Sequence, residues 1–183
     1  MSPDRDRDLG GRPRNARPRD ALGRPLVRAG SGDAGPGAER IPDDLVLAGP
    51  DAARLADELL RAGRPFHAHE VLEASWKTGP AAERDLWQGL AQVAVGLTHA
   101  HRGNARGAVA LLGRGAQRVR AYQAAIAAAS PAASPATSAS GDRPCGMDLA
   151  AFLAAAETLA ARIDRDGLAG IPAADLRPGL IPG

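Results

Sequence analysis

Residues 65–104 read PFHAHEVLEASWKTGPAAERDLWQGLAQVAVGLTHAHRGN. Two helical patterns stand back to back here, divided by Gly79-Pro80. Pro65 suits the first turn of a helix, because an N–H there has no partner to lose. Phe66, His69, Leu72, Glu73 and Trp76 follow at spacings of three and four, and Gly79-Pro80 stops the helix. A next helix is predicted from about Ala81 to Arg102, with Leu86, Leu90, Val93 and Leu97 as its apolar stripe. Gly89 and Gly96, seven apart, lie close to one face. Each costs helix propensity of about 1 kcal/mol relative to Ala, which suggests that another backbone approaches there.

Helical signals continue on both sides. Upstream, Asp51 reads as an N-cap for Ala52, Leu55, Ala56 and Leu59, and Gly63 as the C′ residue that takes positive φ. Downstream, Gly103 reads as a second C′ glycine and Asn104 as an N-cap. The helix that follows, about Ala105 to Ala128, should bury Val109, Leu112, Ala116, Val119 and Ile126. Gly63, Ala68 and Leu72 correspond to Gly103, Ala108 and Leu112, a weak repeat of about 40 residues in which a tight turn feeds a closely packed helix. After a Ser/Pro/Ala stretch, Asp148 should cap a fifth helix carrying Leu149, Phe152, Ala156, Leu159 and Ile163, with Gly167 at its end.

The expected fold is therefore all-α: a small antiparallel helical bundle of two stacked helix pairs (tetratricopeptide-like hairpins) plus a C-terminal helix. Residues 1–47 form an Arg/Asp/Gly/Pro-rich head too poor in apolar surface to offset chain entropy, and are expected to be disordered. Residues 48–128 form the four-helix core, 129–146 a flexible linker, 147–167 the C-terminal helix and 168–183 an extended tail.

Composition agrees. The chain has 183 residues, 44 % hydrophobic but only 3 % aromatic. A core of Ala, Leu and Val argues against a β-sandwich or barrel. The single cysteine, Cys145, excludes an intrachain disulfide or a cysteine-based zinc site, and is expected to sit outside the helical core. A formal charge of +2 is too near balance to announce a nucleic-acid binder. Arg102, Arg106, Arg114, Arg118 and Arg120 could make a phosphate-holding face, but no aromatic residues interleave with them for base stacking. No stretch supplies the ~18 apolar residues of a membrane span, and no h-region follows Met1. A cytoplasmic location is expected.

All four histidines lie between positions 67 and 101. Residues two apart on a helix differ by about 200°, so His67/His69 and His99/His101 each split between opposite faces, one inward and one toward water. His69 and Glu73 share a face. Gln88, Gln92, Val95, His99 and Arg102 form a polar stripe on the next helix. Folding the two helices back at Gly79-Pro80 puts Glu73 near Gln88 and His69 near Gln92, with Trp76 at one end.

Four chemistries compete for this cluster. A metal site would use His69 and Glu73, with His99, which lies further along toward Gly103, as a third ligand only if the bundle geometry brings it close. Acid–base chemistry would use the His69–Glu73 pair, but neither Cys145 nor Ser75 stands in a nucleophile motif, so no catalytic residue is assigned. A sealed hydrogen-bond network would only fix helix register. An open cleft would bind a ligand.

The pattern Phe66-x-x-His69-Glu70-x-x-Glu73-x-x-Trp76, Leu86-x-Gln88-Gly89-Leu90-x-Gln92-x-Ala94 and His99-x-x-Arg102-Gly103-Asn104-x-x-Gly107-Ala108 resembles the bacterial and archaeal family catalogued as domain of unknown function 309. The resemblance spans about Arg61 to Arg120. It implies a small all-α protein and marks His69, Glu70, Glu73, Trp76, Gln88, Gln92, His99, Arg102, Gly103 and Asn104 as signature positions, and it supplies no reaction.

The expected function is a small-ligand or protein-binding module. Its candidate residues are His69, Glu70, Glu73, Trp76, Gln88, Gln92, His99, Arg102 and Asn104, with Arg102 expected to pair with Glu70 or Glu73. The alternative is a metal-dependent hydrolase using His69 and Glu73. No cofactor is expected beyond a possible divalent metal. The partner is an unknown small molecule or protein, with a homodimer possible through the Ala-rich faces and the two glycines. Nucleic acid and membrane are not expected partners.

Overall fold

A computed structural model describes residues 20, 22, 24, 41–42, 45–129 and 143–182. The expectations for most of the head and for the Ser/Pro/Ala linker up to residue 142 fall outside these residues. The described residues form five helices: α1 (Gly49–Arg61), α2 (Pro65–Thr78), α3 (Arg84–His101), α4 (Ala105–Ala129) and α5 (Leu149–Asp166), with 3₁₀ turns at Ala81–Glu83 and Pro144–Gly146. The described residues contain no strand. Consecutive helices pack on one another, α1 on α2, α2 on α3, α3 on α4 and α4 on α5. The short connections before α2, α3 and α4 make those neighbours antiparallel.

The 40-residue repeat has a structural basis. At the end of α1, Arg64 N–H donates to Leu59 O at 2.8 Å and Gly63 N–H to Leu60 O at 3.0 Å. At the end of α3, Asn104 N–H donates to His99 O at 2.9 Å and Gly103 N–H to Ala100 O at 3.0 Å. These are two Schellman motifs, each needing a left-handed residue, and Gly63 and Gly103 supply φ of 70° and 79°. The equivalent residues Ala68/Ala108 and Leu72/Leu112 are all buried.

α3 is the central helix. Leu86, Leu90, Val93 and Leu97 are fully buried. Its glycines let α4 approach closely. A Cβ at Gly89 would lie 3.0 Å from the Gly115 carbonyl oxygen, and one at Gly96 would lie 2.9 Å from Leu112 N. The glycine surface expected to suit a helical dimer is thus used inside the chain. α5 joins the same core through Leu149, Phe152, Ala156, Leu159 and Ile163, and Asp148 caps it by accepting from Ala151 N–H at 3.0 Å.

Several local expectations are corrected. α1 starts at Gly49, with no side-chain cap. Gly49 and Pro50, whose ring fixes a helical φ, are the first two helical residues, so the N-cap position falls at Ala48 rather than Asp51. Asp51 sits in the first turn and accepts from Arg54 at 2.9 Å. The third helix begins at Arg84, after a 3₁₀ turn, and ends at His101. Ile126 is 47 % exposed, because the last turns of α4 run out into solvent. Cys145 is half-buried against the core; its thiol fills the space beside Gly49, where a Cβ would lie 2.7 Å from Sγ. Residues 168–182, expected to be extended, make turns and bury Leu180. Asp57 Oδ1 accepts from the N–H groups of Leu180 and Ile181 at 2.6 and 3.0 Å. Of the described head residues, Ile41, Leu45 and Leu47 pack on the core.

Candidate functional site

α2 presents His69, Glu73 and Trp76 along one face at spacings of four and three. α3 presents Gln88, Ala91, Gln92 and Val95. These side chains and Arg118 of α4 line one pocket of about 320 Å³. The pocket is open to solvent: the Glu73 side chain is 35 % and the His69 side chain 25 % exposed. The expected convergence of His69, Glu73, Trp76, Gln88 and Gln92 is therefore present as geometry.

Glu73 Oε1 pairs with Lys77 Nζ at 2.8 Å, and Oε2 lies 3.7 Å from His69 Nε2. Burial lowers the pKa of His69, Glu73 opposes this and Lys77 adds to it, so the imidazole is held below its ordinary value. Arg118 Nη1 donates to Gln88 Oε1 at 2.5 Å and to Asp85 Oδ1 at 3.1 Å. Two polar atoms of the lining, His69 Nδ1 and Gln92 Oε1, are buried without a hydrogen-bond partner. Lys77 Nζ stands 5.8 Å from the Trp76 ring centroid.

The remaining candidates lie elsewhere. Glu70 is not part of the lining. His99 Nδ1 meets Asn104 Nδ2 at 2.8 Å, and Asn104 Oδ1 accepts from Gly107 N–H at 2.9 Å. Asn104 thus caps α4 as expected, and it holds His99 at the bundle end. Arg102 does not reach Glu73; its guanidinium binds the backbone carbonyl of Leu22 through both Nε and Nη2. Among the described residues no three His, Cys, Asp or Glu side chains could hold an ion together. Among the described residues, no further His, Cys, Asp or Glu joins His69 and Glu73 as the third ligand of the hydrolase reading.

The histidine pairs do not split between core and water. His67 is 2 % exposed, while His69, His99 and His101 are half-buried. His67 lies within the electrostatic reach of Arg64 and Asp20, and His101 meets the backbone of Leu176 and the charge of Arg177. Head and tail thus reach the faces of α2 and α3 that a bare bundle would leave in water. Ser75 is buried and donates to Val71 O of its own helix at 3.1 Å. Trp87 is core, with Nε1 donating to Glu83 Oε2 at 2.9 Å.

Sequence reasoning missed Arg118 as a lining residue and grouped it with a phosphate-holding face. That face is largely committed. Arg120 pairs with Glu157 through two bonds of 2.8 and 2.6 Å, and Arg114 bonds Ala110 O of its own helix at 3.2 Å. The close approach of Gly89 to Gly115 was a usable signal. It fixes the α3/α4 register, and in that register position 118 faces Asp85 and Gln88.

Fold and site together define a small all-α domain with a polar cleft between its second and third helices. Residues 54–111 match the family model described as Domain of unknown function (DUF309), the family that the motif resembles. The match starts earlier than the motif and ends before Arg118. Searches of curated proteins and of solved structures return no match. Among the described residues no helix is long and apolar enough to cross a membrane.

Proposed function

We propose that the domain is a binding module that holds a small molecule in the cleft between α2 and α3. The supporting observation is the open pocket of about 320 Å³ on which His69, Glu73, Trp76, Gln88 and Gln92 converge. A volume at the small end of ligand sites suits a compact molecule better than a protein segment. A network kept only for stability would be closed and complete. This one is open, and its lining holds two unpaired buried atoms, His69 Nδ1 and Gln92 Oε1, at a cost of about 1–3 kcal/mol each; His67 Nδ1 and His101 Nε2 are unpaired outside it. Groups that weaken the fold but line a cavity are typical of sites kept for binding.

The test is a ligand-observed NMR screen of a fragment set of small metabolites against the full chain, with Val95→Phe run in parallel. Val95 lines the cleft and is only half-buried, so phenylalanine fills the pocket without entering the core. The expected result is a set of hits on the wild type that Val95→Phe loses while its Tm stays within about 3 °C, the shift of a sub-kcal/mol change. No hits, or hits equal on both proteins, overturns the reading.

A further inference from the structure

The lining of the cleft also selects a ligand chemistry, and this step rests on the binding reading above. Its charges cancel locally. Glu73 is paired with Lys77, and Arg118 with Asp85. His69 is held toward its neutral form by burial. A phosphate or dicarboxylate would meet the Glu73 carboxylate and would have to take Arg118 from Asp85.

The polar groups that remain have a defined sense. Arg118 occupies Gln88 Oε1, so the Gln88 amide offers its NH₂ as a donor. Gln92 Oε1 is an acceptor without a partner. Glu73 beside His69 Nε2 favours the proton on that nitrogen, which leaves the unpartnered Nδ1 as a second acceptor. Both atoms are buried, and the ligand draws them into the cavity by rotation about the soft terminal torsions of Gln92 and His69. Gln88 and Gln92, one helical turn apart, place donor and acceptor at neighbouring points on one wall. The Trp76 indole supplies a flat apolar surface beside them.

We propose that the cleft takes a neutral planar aminoheterocycle of nucleobase size. Its exocyclic N–H groups donate to Gln92 Oε1 and His69 Nδ1, its ring acceptor receives the Gln88 amide, and its ring lies against Trp76; phosphorylated forms are excluded. A cavity of about 320 Å³ accepts one such ring system.

The experiment titrates the ¹⁵N-labelled full chain with cytosine and adenine, with N4,N4-dimethylcytosine and N6,N6-dimethyladenine, and with the two nucleoside monophosphates. The signals followed are the Trp76 indole N–H and the Gln88 and Gln92 side-chain amides. Trp87, buried and bonded to Glu83, is the internal reference. At least one free base should move the cleft signals and leave Trp87 in place. Its dimethylated and phosphorylated counterparts should bind at least tenfold more weakly, and Gln92→Leu should weaken the base at least tenfold with the Trp87 signal unchanged. Equal binding of a base and its dimethyl form overturns the assignment. Glycinamide, succinate and inorganic phosphate are titrated alongside. If they move the cleft signals and the bases do not, the heterocycle assignment falls and the binding reading stands. If no compound moves them, both fall.

Discussion

Arg118 on α4 donates to Gln88 on α3 across 2.5 Å, and the same nitrogen reaches Asp85 at 3.1 Å. The contact ties the α3/α4 packing to the polar wall of the cleft, since it decides which end of the Gln88 amide is left for a ligand. The Arg118 side chain is 38 % exposed, which limits its worth to stability. A double-mutant cycle with Arg118→Ala and Gln88→Ala should show a coupling of about 1 kcal/mol in urea unfolding. A coupling near zero would mean that the guanidinium does not hold the amide.

The glycine contact between α3 and α4 makes a sharper demand. A Cβ on Gly115 would stand 2.7 Å from Gly89 O and 2.8 Å from Val93 N, both backbone atoms that cannot swing away. Gly115→Ala should destabilise by about 2 kcal/mol, overpacking outweighing the gain in helix propensity. Gly113, on the same helix, has nothing within 4 Å of the point where a Cβ would sit. Gly113→Ala should therefore stabilise by up to about 1 kcal/mol. Urea midpoints of the two variants must move in opposite directions.

One carboxylate binds the tail at two successive backbone N–H groups, beside the Asp148 N–H bond to Leu180 O at 2.9 Å and the Arg61 bond to Ile181 O at 2.5 Å. Asp57 accepts from Leu180 and Ile181 through Oδ1 and from Arg61 Nε at 2.8 Å through Oδ2. Leu180 is fully buried behind these bonds. Asp57→Ala should cost about 2 kcal/mol and speed hydrogen exchange at Leu180 and Ile181 far more than at α3 amides. Equal protection in the variant would show that the tail is held without Asp57, by its apolar packing and the Asp148 and Arg61 bonds.

Acid should weaken the fold through its buried histidines. The pKa values of His67, His69 and His101 are all lowered from 6.5, in each case mainly by burial. In this window the unfolded chain binds more protons than the folded one, so stability rises with pH. The contribution is complete above about pH 6.5 and is lost as pH falls through the folded values. Replacing the most deeply buried, as His67→Gln, should flatten the dependence of unfolding free energy on pH below 6.5. The change in slope has a ceiling of one proton, about 1.4 kcal/mol per pH unit. An unchanged slope would mean that His67 gains its proton equally in both states.

Much of this was legible in the sequence because the signals are local. The turns at Gly63 and Gly103 require positive φ, and glycine announces that by itself. Asn104 and Asp148 announce caps. The cleft was legible because helical spacing puts His69 with Glu73 and Gln88 with Gln92, and a short Gly79-Pro80 connection leaves few ways to fold one helix onto the other. Asp51 misled because the proline before it already holds the helical φ. The expected pairing of Arg102 with Glu73 misled because the end of the bundle supplies its own partner, the Leu22 carbonyl, just as His99 there meets Asn104.

The sequence by itself therefore determined the helices, their turns and the side chains that α2 and α3 turn toward each other, since these follow from backbone preference and the 3.6-residue repeat. Only the tertiary structure decided that Arg118 lines the cleft, that His99 stays outside it, that His67 is the most deeply buried histidine and that residues 168–182 return to Asp57. Those facts depend on the register of α4 against α3 and on which faces distant segments cover, and such registers are set by close packing between elements far apart in the chain.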